Sequence, residues 1–388
     1  MYTEKEVLDY IAEEDVKFIR LVFFDLKGVQ KNISIMAEQL EGAFKRGIGF
    51  DASAICGFES AEKSDLFLFP DPATLSVLPW RPSSGKVVRM FCSIRYHDGR
   101  VYEKDFRTRL QNNIRSIHEE YGVDFRIGTE IEFYLFKLDE SGLPTKVPFD
   151  TAGYMDIAPE DKGENIRREI CFTLEQMGIV PESSHHEEGP GQNEIDFHYS
   201  DALTAADNAA TFKWIVRTRA ANAGLYADFS PKPLEGNAGS GLHINLSCSD
   251  SDKNKHALAG ILKHIREITY FLNNSENSYK RLGENKAPRA IYWGHGDRLA
   301  LIRVPDVTDR EAARLEIRSA DCECNVYIAL DILISAAVDG IKNKLEPPEP
   351  GHRTEGNEGL LPATLDEAKK IAESSGFVKS VLGETFRF

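Results

Sequence analysis

The chain has 388 residues, enough for two or three domains, and carries 62 acidic against 47 basic side chains for a net charge of −15. That balance excludes a nucleic-acid partner, whose phosphates need basic patches, and points instead to cations wherever acidic groups gather. No apolar run reaches membrane-spanning length (the longest, 328–338, is broken by Asp331), the polar start Met1–Asp9 is no secretory leader, and six scattered cysteines fit reduced thiols in the cytoplasm.

In chain order, Val16–Val29 reads as a strand entering a hairpin turn at Asp25-Leu26-Lys27-Gly28. Ala37–Gly47 reads as a short amphipathic helix, and Gly47–Ser53 as a glycine-rich, acid-bearing loop. Leu66–Pro72 is a strand stopped by prolines, and Val87–Tyr96 a strand turning at His97-Asp98-Gly99. Residues up to about 100 therefore form a small β-rich domain. Beyond it, Arg107–Tyr121, Gly163–Met177, Ala205–Ala223, Lys255–Asn273 and Asn325–Lys344 carry helical periodicity. Thr364–Ser374 is a last helix, with Thr364 as cap and Glu367 as its capping-box partner.

His185–Phe197 packs two histidines and three glutamates around a Gly-Pro-Gly turn. A reversal there brings Glu187 and Glu194 to one point, where hard oxygens suit Mg²⁺ or Mn²⁺. A charged surface loop has the same composition, so the other strands matter. Glu130 and Glu132 alternate with Ile131 and Phe133; His243, Asn245 and Ser247 with Ile244 and Leu246; Arg314, Glu316 and Arg318 with Leu315 and Ile317. Four such strands, counting Glu194–Phe197, suggest an antiparallel sheet with one polar face. Five glutamates (Glu130, Glu132, Glu187, Glu194, Glu316) and His243 can serve two divalent ions. Arg298, Arg303, Arg314 and Arg318 can countercharge phosphates, the equipment of phosphoryl transfer from a nucleotide. Neither Walker A nor Gly-x-Gly-x-x-Gly is present.

At these residues the chain resembles the glutamine synthetase family, type I, over nearly its whole length. The markers include Gly47-Ile48-Gly49-Phe50-Asp51, Glu130-Ile131-Glu132, His185-His186-Glu187, Gly191-Gln192-Asn193-Glu194, Gly239-Ser240-Gly241-Leu242-His243, Asn277–Leu282 and Arg314–Arg318. The resemblance implies an α+β fold: a β-grasp domain over 1–102 and a catalytic domain over 103–388 with a curved antiparallel sheet flanked by helices, glutamine synthetase/guanido kinase-like. It implies ATP, glutamate or a related acid, ammonia or an amine, two or three Mg²⁺ or Mn²⁺ per site, and rings of subunits with sites between neighbours. By position, Glu132, Glu187 and Glu194 match ligands of one metal, and Glu130, His243 and Glu316 of the second. Arg298 and Arg318 match the arginines at the transferred phosphoryl group. Arg281 and Gly239 match the acid site. Tyr199, Ser247, Arg303, Arg314 and His185 match the nucleotide site, and Asp51 and Tyr154 the ammonium site.

The family's chemistry converts a carboxylate into an acyl phosphate, which an amine then attacks as the free base; a carboxylate such as Asp51 is wanted to take the proton. This chain departs from the pattern near the amine and acid. Lys286 stands where the family's flap carries a carboxylate, Ala238 where it carries an asparagine, and Asn245 where a second histidine follows the metal-binding one. The run Val381–Phe388 is shorter than the family's usual helical tail, which leaves the double ring open. An altered acceptor is therefore expected beside ammonia, and a catalytically weak regulatory or structural relative is the alternative of a different class.

Overall fold

The computed structural model describes every residue except Met1, Pro82, Ser83, 309–312, Thr385, Arg387 and Phe388. Part of the terminal run Val381–Phe388 thus lies outside the described residues. The chain divides into two compact units, Met1–Asn112 with Glu175–Gly178, and Asn113–Leu174 with Ile179–Phe388.

The first unit opens on a helix that the polar composition of the start concealed, α1 (Glu4–Glu13). Its signal is a capping box: Thr3 Oγ1 accepts from the Glu6 N–H at 3.3 Å while Glu6 Oε2 accepts from the Thr3 N–H at 2.7 Å. β1 (Val16–Phe24) and β2 (Gln30–Met36) form the expected hairpin, followed by α2 (Leu40–Arg46). The expected glycine-rich loop is instead mostly strand β3 (Ile48–Asp51). Gly47, at φ +71°, turns the chain, and Ile48 and Phe50 then alternate onto the core. β4 (Asp65–Pro70), β5 (Ser76–Val77) and β6 (Lys86–Arg95) complete a sheet of order β2-β1-β6-β4-β3, with β5 beside β6. β1 and β6 run parallel, and Leu21, Leu66, Leu68 and Met90 are buried beneath. This is a β-grasp arrangement.

The chain continues through α3 (Phe106–Tyr121), β7 (Phe125–Leu138), β8 (Pro144–Pro148), α4 (Glu164–Gln176), β9 (Pro181–His186), β10 (Gln192–Phe197), β11 (Ser200–Asp201) and α5 (Ala202–Asn222). β12 (Leu225–Asp228), β13 (Leu242–Cys248), α6 (Asn254–Leu272), α7 (Glu276–Arg281), β14 (Trp293–His295), β15 (Ile302–Val304) and β16 (Leu315–Ile317) follow. α8 (Val326–Asn343), α9 (Leu365–Ser374) and α10 (Gly376–Leu382) end it.

Among the described residues, ten strands form one sheet of order β14-β15-β16-β13-β7-β10-β9, with β8, β11 and β12 also pairing β7. All pairings are antiparallel except β14 with β15. The apolar face of β7 (Ile131, Phe133, Leu135) is buried, Phe133 lying 6.1 Å from the Phe212 ring of α5. Behind, α6 and α8 approach so closely that a Cβ on Gly260 would sit 2.2 Å from the Ala336 carbonyl oxygen. The helix over Thr364–Ser374 forms with Thr364 as cap, but Glu367 completes only half of the expected box. Its carboxylate accepts from the Ala363 N–H at 2.8 Å rather than from the cap's own. Among the described residues no helix is long and apolar enough to cross a membrane.

Candidate active site

Register places the acidic residues. Alternation along β7 turns Glu130 and Glu132 to one face. Antiparallel pairing then sets His243 of β13 opposite Glu130, Glu194 of β10 opposite Glu132, and Glu316 of β16 opposite Asn245. The four polar-faced strands read from the sequence are neighbours in one sheet.

One atom from each of Glu130, His243 and Glu316 falls within 4.8 Å of the others, the set expected for a second metal. The set expected for the first metal is divided. Glu132 groups with Glu194 and His243, and Glu187 with His185 and Glu194, the two meeting at Glu194. His185, expected at the nucleotide, sits between carboxylates, 3.6 Å from Glu187 and 3.5 Å from Glu194. Its ring meets Tyr154 edge-on at 5.6 Å.

Electrostatics separates the two sides. Burial pushes the Glu130 carboxyl up, but His243 Nδ1 at 3.1 Å and the Asn245 amide donating at 2.8 Å hold it down to about 2. Burial and then the charge of Glu132 push Glu187 up to about 7. Burial also carries Glu194 well above the carboxylate range, with Glu132 adding to it. Carboxylates crowded against their own repulsion, beside an imidazole, fit hard divalent cations such as Mg²⁺ or Mn²⁺.

Two cavities flank this row. The first, about 280 Å³, is lined by Glu130, Glu132, Glu187, Glu194 and His243 together with Tyr154, Gly239, Arg281, Arg298 and Arg318. The Arg281 guanidinium is buried, donating to the backbone oxygens of Ser319 at 2.9 Å and Arg318 at 3.2 Å. Glycines make that possible: a Cβ on Gly241 would lie 2.6 Å from Arg281 Nη2, and one on Gly239 would lie 2.9 Å from Arg281 Cγ. Arg318 and Arg303 both pair with Glu316, Arg303 at 2.6 Å. The Nε atoms of both arginines are buried without a partner.

The second cavity, about 850 Å³, is lined by Tyr199, Ser247, Arg314, Asn245 and again Glu130. Three of the residues expected at a nucleotide share it. Asn245 links its two ends, donating to Glu130 Oε1 at 2.8 Å and accepting from Arg314 Nε at 3.0 Å. Asp51 belongs to the other unit. It ends β3, exposed, and its carboxyl is held low by the hydroxyl and N–H of Ser53.

Several residues went unassigned in the sequence. His186 is buried, with Nδ1 2.7 Å from the Glu187 carbonyl oxygen and Nε2 2.9 Å from Asp150 Oδ1. Asp150 also accepts from the Gly191 N–H at 3.0 Å, so it clamps the turn that carries Glu187. Glu188 pairs with Lys286. Gln192 bonds Glu132 and Gly239. Partners distant in sequence, Glu188 and Lys286 above all at 98 positions apart, leave no local pattern to find.

Residues 103–387 match the family model described as glutamine synthetase, catalytic domain, and residues 15–97 match glutamine synthetase, beta-Grasp domain. Fold, site and these matches define an ATP-dependent ligase that forms carbon–nitrogen bonds and uses divalent metal. The chain is 42% identical to a glutamine synthetase of Methanosarcina mazei and 41% identical to one of Staphylococcus aureus, each alignment covering 98% of this chain and 91% of the relative. It belongs to the glutamine synthetase family. Among solved structures, GmaS in complex with ADP superposes with a TM-score of 0.86 at 28% identity, over 97% of this chain and 92% of that one. Plasmodium falciparum glutamine synthetase, seen by cryo-EM, shares the fold with a TM-score of 0.88 at 23% identity, over 99% and 93%.

Proposed function

We propose that the chain activates the side-chain carboxylate of glutamate, or of a closely related acid, as an acyl phosphate and passes the acyl group to ammonia or a small amine. One observation carries this reading: Glu130 lines both cavities. A phosphoryl donor in the larger cavity and a carboxylate in the smaller one would meet at the row of glutamates.

In this reading residues 1–102 are the β-grasp domain and 103–388 the catalytic domain. Tyr199, Ser247 and Arg314 bind ATP in the larger cavity, Tyr199 offering an exposed ring for base stacking. Glu130, His243 and Glu316 would hold one cation, and Glu194 with Glu132 and Glu187 another; bound there, such ions supply positive charge to the phosphoryl oxygens. Arg298 and Arg318 line the smaller cavity and face the group in transfer. Arg303 steadies Glu316 from the opposite side, and His185 steadies Glu187 and Glu194. Arg281, buried and cationic, takes the acid's α-carboxylate beside Gly239. Tyr154 lines the same cavity. Asp51, ionised through its Ser53 hydrogen bonds, removes the ammonium proton. It acts across a subunit boundary, in a homo-oligomeric ring whose sites are completed by the neighbour's β-grasp domain.

The strength of the family matches disfavours a purely regulatory or structural relative. The departures at Ala238 and Lys286 support an acceptor that includes small amines as well as ammonia. Phosphate release from ATP, Mn²⁺ or Mg²⁺ and glutamate, across a panel of amines with products identified by mass, tests this. Turnover confined to ammonia removes the amine part; no turnover with any acceptor removes the ligase reading. Glu187→Ala should abolish activity.

A further inference from the structure

Gln192 opens β10 and is 1% exposed. Its side-chain amide uses both protons and its oxygen. Nε2 donates to Glu132 Oε2 at 3.2 Å and to the Gly239 carbonyl oxygen at 3.1 Å, and Oε1 accepts from the Gly189 N–H at 2.9 Å. Glu132 Oε2 also accepts from the Gly241 N–H at 2.8 Å. One carboxylate oxygen is thus tied to the 239–241 segment twice, directly and through Gln192.

No other side chain satisfies this arrangement. A carboxylate cannot donate to Glu132 or Gly239, and an apolar side chain would leave the buried Gly189 N–H and the part-buried Gly239 carbonyl without this partner. The turn is built around the amide. A Cβ on Gly189 would lie 2.8 Å from Gln192 Oε1 and 1.9 Å from Tyr134 Oη. Tyr134 donates separately to the Ala238 carbonyl oxygen at 2.5 Å, a second tether that does not touch Glu132.

We propose that Gln192 is a positioning residue that couples the cation ligand Glu132 to the Ala238–Gly241 segment, so that cation and amino-acid substrate each tighten the other's binding. This rests on the reading of that segment as part of the acid site. A cation on Glu132 fixes its Oε2, and Gly239 and Gly241 follow through their bonds. Linkage requires the converse effect to be equal.

The test titrates Mn²⁺ into metal-free protein by calorimetry, with and without glutamate, for the wild type, Gln192→Met and Tyr134→Phe. Without glutamate, Gln192→Met should weaken Mn²⁺ binding roughly 10- to 100-fold, the usual effect of removing a partner behind a metal ligand. Tyr134→Phe should bind Mn²⁺ as the wild type does. With glutamate, the wild type should gain Mn²⁺ affinity, Tyr134→Phe should keep that gain, and Gln192→Met should lose it. In turnover, the KM for glutamate should rise in Gln192→Met while the KM for ATP stays within about twofold. Wild-type Mn²⁺ affinity in Gln192→Met overturns the proposal, as does an equal loss in Tyr134→Phe, which would mark a general loosening of the segment. If circular dichroism shows Gln192→Met unfolded, Gln192→Asn, one methylene too short to reach its partners, is read by the same criteria. A wild type that ignores glutamate in every assay would refute the acid assignment, while Mn²⁺ binding without glutamate still decides the role of Gln192.

Discussion

Lys286 is ion-paired with Glu188, and its ammonium lies 6.0 Å from the Tyr154 ring centre. From the sequence, a lysine in this segment should repel a cationic acceptor. In the fold its charge is spent on the residue next to Glu187, and the two together leave the rim of the smaller cavity locally neutral. The segment is held elsewhere too, Asn285 donating to the Asn237 carbonyl oxygen at 3.1 Å. Lys286→Glu should free Glu188, raise the negative charge at the rim and lower the KM for ammonium. Both partners are exposed, so the expected gain is about two- to fivefold at low salt and fades as salt is added. An unchanged KM, read from phosphate release at subsaturating ammonium, would remove Lys286 from acceptor selection.

Gly241→Ala should damage the acid site without touching the nucleotide cavity. The added methyl would lie 2.6 Å from Arg281 Nη2 and 3.1 Å from His243 Nε2. Arg281 cannot yield easily, since it is 3% exposed and hydrogen-bonded to two backbone oxygens. The KM for glutamate should rise roughly tenfold or more, while binding of ATP analogues changes little. Equal losses for both substrates would mean that the strand, rather than the arginine, had moved.

Much of this site was legible because period-two alternation is a local signal. Glu130 and Glu132 on β7 and His243 and Asn245 on β13 read directly as polar faces, and the family motifs then put them in order. Helices long enough to show their period, such as α6 and α8, were equally plain. What stayed hidden depends on contacts between distant residues. Glu188 looked like one more acid until Lys286 was folded against it, and His186 had no role until Asp150 closed on it. The glycines of β3 mask the alternation of Ile48 and Phe50, so the stretch has the composition of a loop. The division of the first metal set arises from how the turn after β9 carries Glu187, which spacing in the sequence does not encode.

Asn245→Asp should uncouple the cavities. The amide donates to Glu130 and accepts from Arg314; a carboxylate can do only the second and adds a charge beside Glu130. Mn²⁺ affinity should fall roughly 10- to 100-fold. Asn245→His, which restores the family's more usual residue, should lose much less. Calorimetry on the metal-free proteins decides between them, and equal behaviour of the two variants would count against the hydrogen-bond argument.

The metal-free protein should lose stability as pH rises toward 8, opposite to a protein dominated by surface carboxylates. Burial and Glu132 raise Glu187 to about 7, burial raises Asp196 and Asp321 to about 6, and burial lifts Glu194 well above its normal range. Between roughly pH 4.5 and 7 the folded chain therefore holds protons that the unfolded chain has released, and stability falls through that window. His186 acts in the same sense: burial lowers its pKa, but the bonds to Asp150 and to the Glu187 carbonyl oxygen, with the charges of Asp150 and Asp161, together raise it, so its contribution is also lost as pH rises. Glu130 at about 2 and the lowered Asp150 act with the opposite sign but in a more acid range. A cation bound by the same carboxylates displaces their protons and reverses the trend. Melting in EDTA should give a lower Tm at about pH 8 than at about pH 5.5, and saturating Mn²⁺ should raise Tm far more at the higher pH. A Tm in EDTA that climbs over this range would mean that Glu187 and Glu194 are not held protonated by the fold.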